Sequence, residues 1–346
     1  MKKYIGGEFS YDKKIFSKTS QKNNFKELNW INSGRAAFYN ILKKYKEDGF
    51  KKIYLPAYIC DSLICPVKKL GLKILFYDLD ENLNVINEFQ DNSIILLIHF
   101  FGKKIKNIDN IKKDIPKNSK IIEDFTHVFL NRGLFDKKIT NNFFFSLRKH
   151  FGFIFGAYSY ENYKKIKMNK IFFNVYNRSV NTLNFKFEYL NDSNNYDLKK
   201  EKIYLDLIKK YEGIINSNYK NYKIPTKINN FNNNISFERV RKKRIQNWNT
   251  LNQLLKNKVE CFHSYFERDE APFGFVIKVK NRDMVKKKLK NNDIFAPVHW
   301  QWHKMVNKKK FPKLFKLSKC ILTLPIDHRY DLQSMEILAE KLKRII

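Results

Sequence analysis

Two short apolar runs, each ending on ionisable side chains, constrain this chain most. Lys120-Ile121-Ile122 leads into the carboxylate pair Glu123 and Asp124, and Phe143-Phe144-Phe145 leads into Ser146 and then Arg148-Lys149-His150. Runs this short, rich in β-branched and aromatic residues, read as buried strands. Both bring polar groups to one rim of a sheet, and open α/β sheets place their ligands at the carboxyl rim. Taken singly, each residue has a plainer reading. Among 68 Lys and Arg a lysine after a strand is usually solvated, and Asp124 serves equally well as a helix cap. The case for a site lies in the surroundings.

Around these runs the chain alternates. KKIYLPAYIC reads as a strand ending at Pro56 and DSLICPVKKLG as a short helix; LKILFYDLD is a strand ending in acids. NSIILLIHFFG is a continuous apolar strand ending at His99 and Gly102, and a Lys-rich helix with its loop fills 103–118 before KIIEDF. Such alternation predicts a buried parallel sheet. Upstream, residues 1–30 read as an arm with short β pieces turning at Gly6-Gly7. Residues 31–49 read as a polar loop opening a helix, with Phe38, Ile41, Leu42 and Tyr45 at helical spacing and Gly49 closing it. The Ser33-Gly34-Arg35-Ala36 start offers unpaired N–H groups at the positive dipole end, a phosphate cradle. An ordinary Ser33 N-cap accounts for it equally well.

Downstream, FIFGAYSY reads as a strand pair, and helical stretches at 160–170 and 198–216 flank an Asn-rich segment. NNFNNNIS at 229–236 is the most linker-like stretch. It divides a large domain with its arm (1–235) from a small α+β domain (236–346). In the latter, FERVRKKRIQNWNTLNQLLKN is a helix carrying Val240, Ile245, Trp248, Leu251 and Leu255. PFGFVIKV and IFAPVHW are strands around the helix KNRDMVKKKLKNN, and SMEILAEKLKRII closes the chain as an amphipathic helix.

Composition narrows the function classes. In 346 residues, 43% hydrophobic with 16% aromatic, there is material for a packed core. No apolar run approaches the roughly 20 residues that span a bilayer, so no membrane span is expected. MKKYIGGEFSYDKK lacks the apolar stretch of a signal peptide. Cys60, Cys65, Cys261 and Cys320 do not form a disulfide framework, and no CxxC pair suggests zinc. The expectation is a cytoplasmic protein with free thiols and no metal. The formal net charge of +34 is spread through the whole chain. With no zinc finger, RNA motif or basic tail, no nucleic-acid partner is expected; the field suits a phosphorylated small molecule. A GxGxxG fingerprint after the first strand and a Walker motif are both absent.

An acid and a lysine at a carboxyl rim suit pyridoxal 5'-phosphate (PLP): the lysine forms the Schiff base and the acid keeps the pyridine nitrogen protonated. With these pieces placed, the chain resembles the DegT/DnrJ/EryC/StrS sugar aminotransferases, PLP-dependent enzymes of fold type I. The resemblance runs from YIGGEF (4–9) to LPIDHRY (324–330) and is strongest at NSGRAAFYNIL, IYLPAYICDSL, IIEDFTH and SLRKHFG. It implies an α/β fold: a mainly parallel seven-stranded sheet with helices on both faces, plus the small C-terminal domain. It also implies that Ser33, Gly34, Arg35 and Ala36 hold the cofactor phosphate together with Ser146. Asp124 then pairs with the pyridine nitrogen, His127 touches the phenolic oxygen, and Lys149 is the Schiff-base lysine.

The departures are specific. Arg35 stands where the family has a threonine, and Lys149 follows Ser146 by three residues where the family has five. The short Ser-x-Arg-Lys form resembles a divergent polysaccharide-biosynthesis branch. The stacking aromatic falls at Cys60, leaving Tyr58 to do that work from two residues earlier. The Gly-Gly turn is Gly156-Ala157, without the usual acid before it.

The resemblance implies a homodimer in which Lys149 is also general base and acid. Val298, His299 and Trp300, with His328 and Arg329, line the acceptor pocket, or else simply pack. The implied acceptor is a keto-sugar on a nucleoside diphosphate, with glutamate as amino donor. Other readings are a small phosphorylated ketone as acceptor, a non-catalytic binding protein, or a sugar dehydratase using His150 beside Lys149.

Overall fold

The computed structural model describes residues 4–11, 30–134, 142–153, 156–159, 169–191, 197–220, 222 and 235–346. The predicted strands form as read: β3 (Lys52–Pro56), β4 (Lys73–Tyr77), β5 (Ile94–Ile98), β6 (Lys120–Asp124) and β7 (Asn142–Ser146). They run parallel in one sheet whose order is β2-β8-β7-β6-β5-β3-β4. Among the described residues the one antiparallel member is β8 (Ala157–Ser159), which pairs with β7 and with the two-residue β2 (Trp30–Ile31). FIFGAYSY thus supplies one described strand, its residues 154–155 and 160 lying outside the described part.

Period-2 alternation explains why helices cover both faces. Phe144 packs with Phe38, Ile41 and Leu42 of α1 (Gly34–Glu47) and with Leu63, Ile64 and Val67 of α2 (Asp61–Leu70). Phe143 and Phe145 point the other way, to Phe125, Phe129 and Tyr158. On that side lie α4 (Lys170–Asn191) and α5 (Leu198–Asn216). A short α3 (Ile108–Asp114) precedes β6.

Helix α5 matches the expected stretch, but α4 does not. Most of the expected 160–170 helix lies outside the described residues, and α4 occupies the segment taken as Asn-rich connection. Phe172, Val175, Tyr176, Ser179, Leu183, Lys186 and Leu190 recur on its buried side at three- and four-residue steps. That is a helical stripe, diluted in the sequence by the asparagines on the outer face.

The C-terminal part has its own core. Strands β9 (Glu260–Cys261), β10 (Phe275–Lys278) and β12 (Ile321–Leu324) form an antiparallel sheet. Packed with it are α6 (Phe237–Leu254), α7 (Arg282–Asn291), α8 (Pro312–Cys320) and α9 (Leu332–Lys343). The IFAPVHW run is strand only at β11 (Ile294–Phe295), where it pairs with β1 (Ile5–Gly6) of the arm; Pro297 then has no N–H to continue a ladder. Of the apolar positions read on α6, Ile245 is only half-buried. Arg241, Arg244 and Asn247 take inner places instead and bond to carbonyls of the 268–273 loop and of 326–330. The linker-like 229–234 lies outside the described residues. The four cysteines are unpaired, and among the described residues no helix is long and apolar enough to cross a membrane.

Candidate active site

Asp124 is the last residue of β6 and Ser146 the last of β7. These strands are neighbours, with Asp124 opposite Phe144 in register. After Ser146 the chain tightens into one 3₁₀ turn, Leu147–Lys149. That turn brings a lysine only three residues beyond the serine to the same cavity, of about 230 Å³. Ser33, Gly34, Arg35, His127, His299 and Trp300 line it too.

Part of the cavity lining is an anion cradle. Ser33 caps α1: its hydroxyl accepts the Ala36 N–H at 3.1 Å, and its carbonyl accepts that of Ala37 at 3.0 Å. Both sequence readings of this start are therefore compatible. The cap occupies the third N–H of the helix, while Gly34 and Arg35, whose N–H groups have no partner within a helix, line the cavity. Ala36 is fully buried and does not line it. A Cβ at Gly34 would stand 3.2 Å from that of Ser146, so glycine lets the helix start close on the strand end. Arg35 donates from Nη1 to the Asn216 carbonyl at 2.8 Å, and its buried Nε has no acceptor among the described residues. No acidic residue occupies the first turn, and Arg148 adds a further cation, paired with Glu212.

The acid lines the same cavity. Thr126 donates its N–H to Asp124 Oδ1 at 2.9 Å. Burial pushes the Asp124 carboxyl above its ordinary value, against that bond. A carboxylate so placed favours a cationic partner. Lys149 moves the opposite way: burial first, then the adjacent Arg148, lower its pKa. Its side chain is exposed where it lines the cavity, with protein close enough to desolvate the amine, so the amine has room to react.

His127 is held between rings, with Phe273 at 3.8 Å and 15° and Trp300 at 5.4 Å and 21°. Its Nδ1 accepts the Phe101 N–H at 3.3 Å, which leaves the ring proton on Nε2. Burial holds it neutral, and His299 as well, whose pKa falls to about 3. Both faces of His127 are covered, so only its edge can reach a ligand.

Two expected site residues are placed differently. Tyr58 is buried and does not line the cavity; its hydroxyl accepts the Trp300 N–H at 2.8 Å and donates to the His299 carbonyl. Arg329 lines a second cavity, of about 400 Å³, but its guanidinium is engaged by Asp327 (Nε to Oδ1 2.7 Å) and by the Glu8 carbonyl at 3.0 Å. His328 packs between Phe9 and Phe151. The second cavity meets the first at Arg148, Lys149 and His299, and Lys286 and Lys290 of α7 also line it. His150 faces neither cavity: buried, it bonds through Nε2 to the Thr126 carbonyl at 2.6 Å.

Some lining residues escaped the sequence reading. Asn216, which lines the cavity, and Glu212, which pairs with Arg148, come from the end of α5, far along the chain, and no local signal marks them. His99 does end an apolar strand, which is the signal that found Asp124. It joins Glu123 (3.1 Å), itself bound by Lys112 (2.7 Å). Burial would raise the Glu123 carboxyl, but His99 and Lys112 bring it down to about 2. Successive residues of a strand face opposite ways: Asp124 faces the cavity, and Glu123 fastens β6 to α3.

No protein-family model matches the chain, and no curated protein does. Solved structures do. A putative sugar aminotransferase of Streptococcus pneumoniae in its PMP-form matches with a TM-score of 0.67 at 12% identity, over 99% of this chain and 98% of that one. The sugar aminotransferase CalS13 of Micromonospora echinospora matches at 0.59 and 13% identity, over 92% and 87%. A DegT DnrJ EryC1 StrS aminotransferase of Brucella abortus matches at 0.58 and 13%, over 92% and 85%. At such identities the likeness is one of fold: the chain folds as these PLP-dependent aminotransferases do.

Proposed function

We propose that this protein is a PLP-dependent aminotransferase that moves an amino group, from glutamate, onto a keto-sugar nucleotide for surface polysaccharide. The observation that carries the reading is the convergence of Asp124, Lys149 and an anion cradle with an unpartnered Arg35 Nε on one cavity. Neighbours of the same fold titled sugar aminotransferases, one in a PLP-form, support it. So does the motif resemblance, which is also what supports the polysaccharide setting and a homodimer.

The residues present fit the cofactor. The amides of Gly34 and Arg35, the Arg35 guanidinium and the hydroxyls of Ser33 and Ser146 would hold its phosphate. Asp124, its pKa raised by burial, would keep a proton on the pyridine nitrogen. His127, its proton on Nε2, would donate to the phenolic oxygen. Bound there, PLP supplies an electron sink beside the substrate's reacting carbon. Lys149 Nζ, its pKa lowered by burial and Arg148, takes the proton from that carbon and returns it. The second cavity admits the acceptor beside Lys149, and Lys286 and Lys290 attract its phosphates.

Mixing PLP-loaded protein with glutamate, without acceptor, tests this. One equivalent of 2-oxoglutarate per cofactor should be released with loss of the yellow absorption. Later addition of a keto-sugar nucleotide should restore the colour and give the amino sugar. A loaded protein that releases no oxoacid from glutamate or other amino donors contradicts the reading.

A further inference from the structure

We propose that Trp300, delivered from the C-terminal part of the chain, covers the face of the cofactor ring, and that Tyr58 is the positioning residue that sets it there. The inference rests on the cofactor reading above and assigns this chain's own residues within it.

A flat pyridine ring in a cavity of about 230 Å³ needs apolar surface against its face. Cys60, just past the end of β3, lines the cavity but brings no ring. Among the described residues, five rings line it: His99, His127, Phe144, His299 and Trp300. Phe144 is buried in the sheet face against Phe38, at 5.2 Å. His99 is held at both nitrogens, by Ile105 N–H and Glu123. His127 has its faces covered by Phe273 and Trp300. His299 is tied through Nδ1 to Thr323 Oγ1 at 3.0 Å and stands edge-on to Trp300, at 80°. Trp300 is the largest of the five and only half-buried, so indole surface remains for a ligand.

Its placement is not left to a loop. The single hydroxyl of Tyr58 bonds both the Trp300 N–H and the His299 carbonyl, while its ring lies 5.7 Å from the indole and 6.0 Å from Phe100. At 2% exposure Tyr58 cannot reach a cofactor itself. Farther along the same segment, His303 Nε2 meets Asp61 Oδ1 at 3.0 Å, at the start of α2. The stretch 299–303 is thus fixed to the large sheet's loops at two places and to β12 through Thr323.

The test is equilibrium binding of PLP to the apo-protein, read by absorption and by quenching of tryptophan emission, with acceptor absent. Trp300→Leu should weaken binding about tenfold and remove part of the quenching, whereas Trp300→Phe, which keeps a ring, should bind within about threefold of wild type. Tyr58→Phe keeps every ring contact and loses only the clamp. It should weaken binding several-fold and reduce the circular dichroism of the bound cofactor. Wild-type affinity in Trp300→Leu overturns the stacking role, and wild-type affinity and dichroism in Tyr58→Phe overturn the positioning role. Should wild type itself bind no PLP, the cofactor reading fails and this one with it; binding by wild type and all three variants alike sinks only this one.

Discussion

At Asp124 burial raises the carboxyl pKa while the Thr126 N–H partly opposes it. An acid whose folded value lies above its unfolded one, here 3.8, weakens the fold as pH climbs through the raised value. Asp124→Asn, nearly the same shape, should therefore leave apo-protein stability at neutral pH equal or higher, with the gap opening as pH rises from about 4. Amino transfer should fall roughly 10²–10⁴-fold. Thermal unfolding across pH, beside a glutamate assay, checks both; a less stable variant would mean a structural carboxylate. Lys149 allows a second prediction. Arg148 helps burial lower its pKa, and only the neutral amine condenses with an aldehyde. Arg148→Gln should shift the pH dependence of PLP capture to higher pH, and an unmoved profile would show that Arg148 does not set the amine. At this scale the sequence was legible where polar groups end a strand: Asp124, Ser146 and Lys149 were read that way, and all three line one cavity. It was silent on Asn216 and on the unpartnered Arg35 Nε, which depend on a helix arriving from far along the chain.

Strands β3 to β7 were legible because a buried parallel strand is apolar almost throughout, and no helix face gives so short a run. Helix α4 was not, since asparagines on its outer side break up the composition although the inner stripe keeps its period. Glu123 shows how an element is held. Its carboxyl sits at about 2, below the ordinary 4.5, because His99 and Lys112 outweigh burial. Such a group stabilises fully above about 4.5, and its contribution is lost as pH falls towards 2. Lys112→Met should cost about 2 kcal/mol at neutral pH, and its deficit against wild type should narrow as pH falls from about 5. Denaturant unfolding at several pH values measures this. A deficit independent of pH would place the lysine's contribution in packing rather than in the ion pair.

The whole molecule brings together segments that lie far apart in the chain. The arm's Ile5–Gly6 pairs with Ile294–Phe295, and its Glu8 carbonyl is held by Lys186 Nζ at 2.6 Å and by Arg329. Trp300 lines the cavity with its N–H bonded by Tyr58, some 240 residues earlier. Joins of this kind leave no local trace, which is why the sequence did not show Tyr58 bonded to Trp300 or Arg329 bonded to the Glu8 carbonyl. The sheet, the cradle and the acid–lysine pair all converge on Lys149 Nζ. The direct test is to load the purified protein with PLP, reduce it with borohydride, digest it and sequence the labelled peptide. The account predicts one cofactor per chain, on the peptide containing Lys149, and none in Lys149→Ala. Labelling at another lysine, or a protein that takes up no cofactor, would contradict it.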